Sequence, residues 1–139
     1  MNKYIYLHLI YAMIFISGCS HTGQSDDTSF LETRWNLTEL FSENIRYSDS
    51  QIPYVRFEAE RVNGNDGCNN FFGAYTREKD KLKFGLLGST RMACPHIEGF
   101  ELVFNKMLSM TTRYRISGNR LDLYADEKLI ASFLAAQQS

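Results

Sequence analysis

Residues 55–60 alternate strictly: Val55, Phe57 and Ala59 are apolar, while Arg56, Glu58 and Glu60 are charged. Such a period of two places one face of an extended chain against a core and the other in water. Further strands are expected over Phe71–Thr76, over Lys81–Leu87 with Leu82 and Phe84 on one face, around Tyr114 and Ile116, around Leu121 and Leu123, and over Leu129–Leu134, with Trp35, Leu37 and Leu40 in a short first element. Glu78-Lys79-Asp80, Ser117-Gly118-Asn119 and Ala125-Asp126-Glu127 read as the turns between strands. Val62–Gly67, with two glycines, reads as a further tight turn, and Thr90–Ala93 as a continuation of the sheet towards Cys94.

One stretch breaks the period. Ile97, Phe100, Val103, Phe104, Met107 and Leu108 recur at three- and four-residue spacing, which predicts a helix over residues 95–110. Pro95 suits its first position, because a missing N–H costs nothing there. Glu98 and Glu101 lie near the positive end of the helix dipole. The expected fold is α+β: a curled, barrel-like antiparallel sheet with one main helix packed against it.

With 44% hydrophobic and 14% aromatic residues, the chain can build a core of its own. A formal net charge of −1 leaves no broad basic surface, so nucleic acid is not an expected partner. At 139 residues there is no room for a dinucleotide fold with a substrate domain. No Gly-rich phosphate loop and no His-Glu-x-x-His helix occurs, and no cofactor is expected.

The first segment has a different role. Residues 1–18 place Lys3 before a short apolar run that closes on Ser17 and Gly18, the layout of a secretory signal peptide. The run falls short of the ~20 apolar residues that span a bilayer. Ile16-Ser17-Gly18-Cys19 resembles the lipobox of bacterial lipoproteins. The resemblance implies cleavage before Cys19, acylation of its thiol and a membrane as partner through the lipid. Ser20, rather than Asp, follows the cysteine, which in such lipoproteins favours outer-membrane sorting. Residues 19–29 are polar and aperiodic and read as a tether. His21 within them is expected to be solvated.

With Cys19 lipidated, Cys68 and Cys94 remain as an even pair in an oxidising compartment, and a disulfide is the default. A metal site from Cys68, Cys94 and His96 would lack both a fourth ligand and a Cys-x-x-Cys pair. No metal is expected, and no base stands at a recognisable spacing for thiol catalysis.

Gly64-Asn65-Asp66-Gly67-Cys68-Asn69-Asn70-Phe71-Phe72-Gly73-Ala74-Tyr75 resembles the first signature of the META domain family, which includes the HslJ-type heat-shock lipoproteins. Ser89-Thr90-Arg91-Met92-Ala93-Cys94-Pro95 is similar to its second. Trp35-Asn36-Leu37 and Leu121-Asp122-Leu123 resemble its opening strand and late hairpin. The resemblance covers residues 30–135 and implies a compact β-rich fold with a helix. It implies association with envelope stress, drug tolerance, secretion or motility, without an established reaction or ligand.

The residues themselves read as mostly structural: glycines for close approach, Asn69 to cap or bridge a turn, and Arg91 to meet a carboxylate. The functional alternative is a small polar pocket for an anionic ligand, lined by Asn69, Thr90 and Arg91. The expectation is therefore a non-catalytic, membrane-tethered envelope protein that binds an envelope protein or a small ligand. The alternative is an envelope hydrolase, or an inhibitor of one, using such a pocket. Glu98 and Glu101 fit a solvated helix face and Asp66 a turn, so no acid is paired with a base as glycoside cleavage requires.

Overall fold

The computed structural model of the protein describes residues 29–47, 51–95 and 99–137. The signal segment, Cys19, His21, most of the tether, His96, Ile97 and Glu98 lie outside the described residues.

The described residues form nine strands: β1 (Arg34–Leu40), β2 (Glu43–Asn44), β3 (Tyr54–Phe57), β4 (Arg61–Asn65), β5 (Asn70–Glu78), β6 (Lys81–Ser89), β7 (Arg113–Ser117), β8 (Arg120–Ala125) and β9 (Lys128–Ala135). One helix, α1 (Phe100–Met110), separates β6 from β7. All strand pairings within the sheet are antiparallel. β1 pairs with β3 on one side and β9 on the other, so the sheet curls into a ring with β2 appended to the end of β1. Leu37 of β1 stands opposite Phe133 of β9.

The inward side chains fill this ring. Trp35, Val55, Phe57, Val62, Phe71, Leu82, Leu121, Leu123 and Phe133 are all buried. Aromatic rings run through the interior in two groups. Phe30 stacks on Phe57 at 4.2 Å between centroids, and Phe57 meets Tyr75 edge-on. Phe71 packs against Phe104, which in turn contacts Phe100. Large rings are an efficient way to fill a small barrel, whose interior holds side chains and little else.

The ring is weakest between β6 and β7, which share one register pair, Lys81 with Arg113. Two flanking bonds, from the Leu82 N–H to the Thr112 carbonyl and from the Tyr114 N–H to the Asp80 carbonyl, complete that contact. Beyond it the strands part, and α1 inserts Phe104, Met107 and Leu108 into the core.

Three local expectations need correction. The helix starts at Phe100, not at Pro95. Gly99 has φ 84°, a left-handed conformation that a right-handed helix cannot contain, so the turn at Pro95 and the helix are separate. Val103 lies on the flank of the helix and is exposed, while Phe100 is half-buried. Residues 61–65 are a strand rather than a turn. Gly64 packs so closely on the Tyr54 carbonyl and the Phe71 ring that a β-carbon would collide with both. The turn is confined to residues 66–69. Thr90–Ala93 runs beyond the end of β6 without joining the ladder, apart from the bond from the Thr90 N–H to the Asn70 carbonyl.

Tyr47 meets Phe100 edge-on at 5.6 Å. Its hydroxyl is buried with no hydrogen-bond partner among the described residues, and desolvation raises its ionisation above the usual phenol range.

Two predictions follow from this packing. Phe104→Ala should destabilise the fold by about 3–5 kcal/mol, since the ring is fully enclosed. Exposed Lys106→Ala should stay within about 0.5 kcal/mol in the same urea titration. Tyr47→Phe removes an unsatisfied polar atom and should be neutral or stabilising by up to ~1 kcal/mol. Because burial raises the folded-state pKa, ionisation of Tyr47 favours the unfolded chain, so this group leaves stability unchanged below pH ~10 and lowers it as pH rises further. Tyr47→Phe should therefore soften alkaline unfolding, read by circular dichroism.

Candidate functional site

The two cysteine-centred segments meet at the β4–β5 turn. Asp66 begins the turn, and its Oδ1 accepts from the N–H of Cys68 at 2.9 Å and of Asn69 at 2.6 Å. The Asp66 N–H donates to the Asn69 carbonyl at 3.0 Å, closing the loop. Asn65 Oδ1 accepts from the Gly67 N–H at 2.7 Å, where Gly67 adopts φ 97°. Three backbone N–H groups are thus held by two short polar side chains, the usual work of Asx turns. Asp66 is 1% exposed, and backbone donors hold its carboxylate there.

Asn69 reaches from this turn to the second segment. Its Oδ1 accepts from Thr90 Oγ1 at 2.9 Å and from the Met92 N–H at 2.7 Å. Thr90 Oγ1 in turn accepts from the Asn70 N–H at 3.1 Å. Alongside these bonds runs the Cys68–Cys94 disulfide, with Cα atoms 6.0 Å apart. The irregular chain between β6 and α1 is therefore pinned to the sheet by one covalent and several polar links.

Of the residues expected in a polar pocket, the fold brings Asn69 and Thr90 into direct contact and leaves Arg91 exposed beside them. Asn69 is 7% exposed, and its carbonyl oxygen is engaged by two donors. The cavity beside the disulfide, about 330 Å³, is lined instead by Cys68, Met92, Ala93, Cys94, Pro95 and Glu101. Among the described residues its wall combines sulfur, apolar carbon and the Glu101 carboxylate.

Sequence reasoning gave Asp66 only a turn. Its burial and its two N–H partners make it the organiser of that turn. The signal was present in Asp66-Gly67, a pair that favours exactly such a local bond, but burial of the carboxylate was not readable from spacing. Elsewhere, the carboxylates of Glu32, Asp80, Asp122 and Glu127 pair with Arg56, Arg113 and Arg120 at the surface. Those neighbours hold the three guanidinium groups more firmly protonated than usual, through hydrogen bonds to Glu32, Asp80 and Asp122 first. The Arg56 and Arg113 pairs are solvent-exposed and add little to stability, whereas the Asp122 side chain is only 15% exposed and also accepts from the Ser132 hydroxyl.

Replacing both Cys68 and Cys94 by Ser should cost roughly 3–4 kcal/mol, the chain-entropy value for a crosslink spanning 26 residues. Asn69→Ala should cost about 1–3 kcal/mol by leaving the Met92 N–H without its acceptor. Thermal unfolding with and without reductant checks the first, and amide exchange at Met92 the second.

The comparisons with known proteins can be set against this geometry. No curated protein matches the chain. A solved structure described as the NMR structure of the protein from Burkholderia xenovorans is similar over 78% of this chain and 85% of its own, at 25% identity and a TM-score of 0.61. A second NMR structure matches at 22% identity and a TM-score of 0.60, covering 77% of this chain and 95% of its own, and shows the fold alone. The META domain model matches residues 28–138, a span that holds the whole ring, α1 and the disulfide-stapled turn. The chain belongs to the META domain family.

Proposed function

We propose that the protein is a lipid-anchored, non-catalytic domain of the bacterial envelope, acting in envelope stress or drug tolerance by binding rather than by chemistry. The observation that carries the anchor is Ile16-Ser17-Gly18-Cys19 at the end of an apolar run in a chain whose other two cysteines pair with each other. A disulfide of this kind suits an exported chain, and membership of the META family is in keeping with an envelope protein. The binding reading is supported by the economy of the polar groups. Asp66, Asn69 and Thr90 are committed to holding backbone, and most paired carboxylates face arginines at the surface. A general acid or base needs a carboxyl free to exchange a proton with substrate.

The anchor has a direct test. Mass spectrometry of the membrane fraction should find acyl mass on a peptide that begins at Cys19, and Cys19→Ala should release the protein from membranes. A Cys19→Ala variant that still sediments with membranes refutes the anchor. In a host with two membranes, Ser20→Asp should move the protein from the outer to the inner membrane, read by density-gradient fractionation.

A further inference from the structure

β6 has an open edge. Its other side pairs with β5 from Lys81 to Ser89, but on the side of β7 the ladder ends at the Leu82 N–H. From Lys83 onward, no described residue completes the backbone pairing there. Exposed edges are ordinarily blunted by charge, proline, shortness, a bulge or a covering helix, because bare N–H and C=O groups recruit another strand. Here the edge reads Phe84-Gly85-Leu86-Leu87-Gly88, which is uncharged and apolar.

A bulge shapes the edge further. The register shifts where Tyr75 pairs with Phe84 and Gly73 with Leu87, so Gly85 and Leu86 together oppose Ala74. Bulges re-aim side chains, and Leu86 is left 98% exposed. Across from this edge stands α1. The two bound a groove of about 280 Å³, with Phe84 to Leu87 and Ser89 on the strand side and Asn105 and Ser109 on the helix side. None of the described residues lining it is charged, and the helix contributes short side chains that leave space.

We propose that this groove binds an extended, uncharged peptide segment of another protein, which adds a strand to β6 beneath α1. The bare backbone selects the occupant. An extended chain pairs those groups, whereas an acyl tail or a docked helix would leave them unsatisfied. The uncharged lining selects a neutral segment, since a buried charge would find no partner. The inference goes beyond the anchor and stands whether or not Cys19 carries lipid.

The test uses the ¹⁵N-labelled full chain and an acetylated, amidated probe peptide, Ser-Val-Thr-Val-Thr-Val-Ser, with the same peptide N-methylated at alternate residues. Saturable amide shifts are expected at Phe84–Ser89, Asn105 and Ser109. N-methylation should weaken binding about tenfold or more, because it removes ladder donors while keeping side chains. Ser109→Trp, which fills the groove from an exposed helix position, should weaken the unmodified peptide to a similar degree while the β1 and β9 amides stay in place. Absence of shifts at millimolar peptide overturns the proposal. So does equal binding of the N-methylated peptide, which would mark a merely apolar contact. Concentration-dependent dimerisation centred on the same amides, or shifts there with phosphatidylethanolamine–phosphatidylglycerol vesicles and none with peptide, would also overturn it by assigning the surface to a second copy or to a membrane.

Discussion

β1 and β9 lie at opposite ends of the described domain, and their pairing turns an open sheet into a ring. The Thr38 hydroxyl donates to the Ser132 carbonyl across 94 residues of sequence, and the ladder from Trp35 to Leu40 runs beside it. Without that closure, Trp35, Leu37 and Phe133 would each lose one wall of their surroundings, and two strand edges would face water. Closing so long a loop is entropically expensive. The enclosed aromatic interior offsets that cost only once the ring is complete, so the interior rings and the closing ladder depend on each other.

Closure is incomplete in one place, and the molecule manages the defect there. β6 and β7 barely touch, and the chain between them has to leave the sheet, form α1 and return. Three apolar side chains from α1 fill the gap from within. The Cys68–Cys94 disulfide and the Asn69 bridge hold the irregular residues that precede the helix. These links connect the β4–β5 turn to the approach to α1, so both signature segments of the family serve one mechanical purpose. The same defect leaves the outer edge of β6 without a pairing strand among the described residues. Structural weakness and the candidate interaction surface therefore have a common origin: the sheet was interrupted to admit a helix.

The polar residues at the stapled turn illustrate how a constellation of reactive-looking groups can be consumed by architecture. Asp66 supplies one oxygen to two amides, and Asn69 spends its carbonyl oxygen on Thr90 and Met92. Each bond satisfies a backbone or hydroxyl group that the turn would otherwise bury unpaired. The adjoining cavity is consequently bordered by the disulfide and apolar atoms rather than by this network.

Periodicity alone determined most of the strands, since alternating burial is a local property of an extended chain with one wet face. The Val55–Phe57 and Leu121–Leu123 pairs show it directly, with both members enclosed. The two cysteines outside the lipobox were legible as a pair from compartment and parity, and three hairpin tips from their turn residues. The start of α1 was not legible, because Pro95 is a good opening residue and the left-handed φ of Gly99 is a choice made by the surroundings. Gly64 read as a turn glycine, yet it is a strand residue whose missing side chain admits Phe71 from the neighbouring strand. Asn69, Thr90 and Arg91 stood together in sequence as candidates for one polar pocket. Tertiary structure alone turned the first two towards each other and left the third outside. Sequence determines which residues prefer an extended chain, a helix face or a turn, because those preferences act over a few neighbours. Which strand closes the ring, where the ladder stops and which polar groups face each other depend on contacts between distant segments, and only the folded chain brings those together.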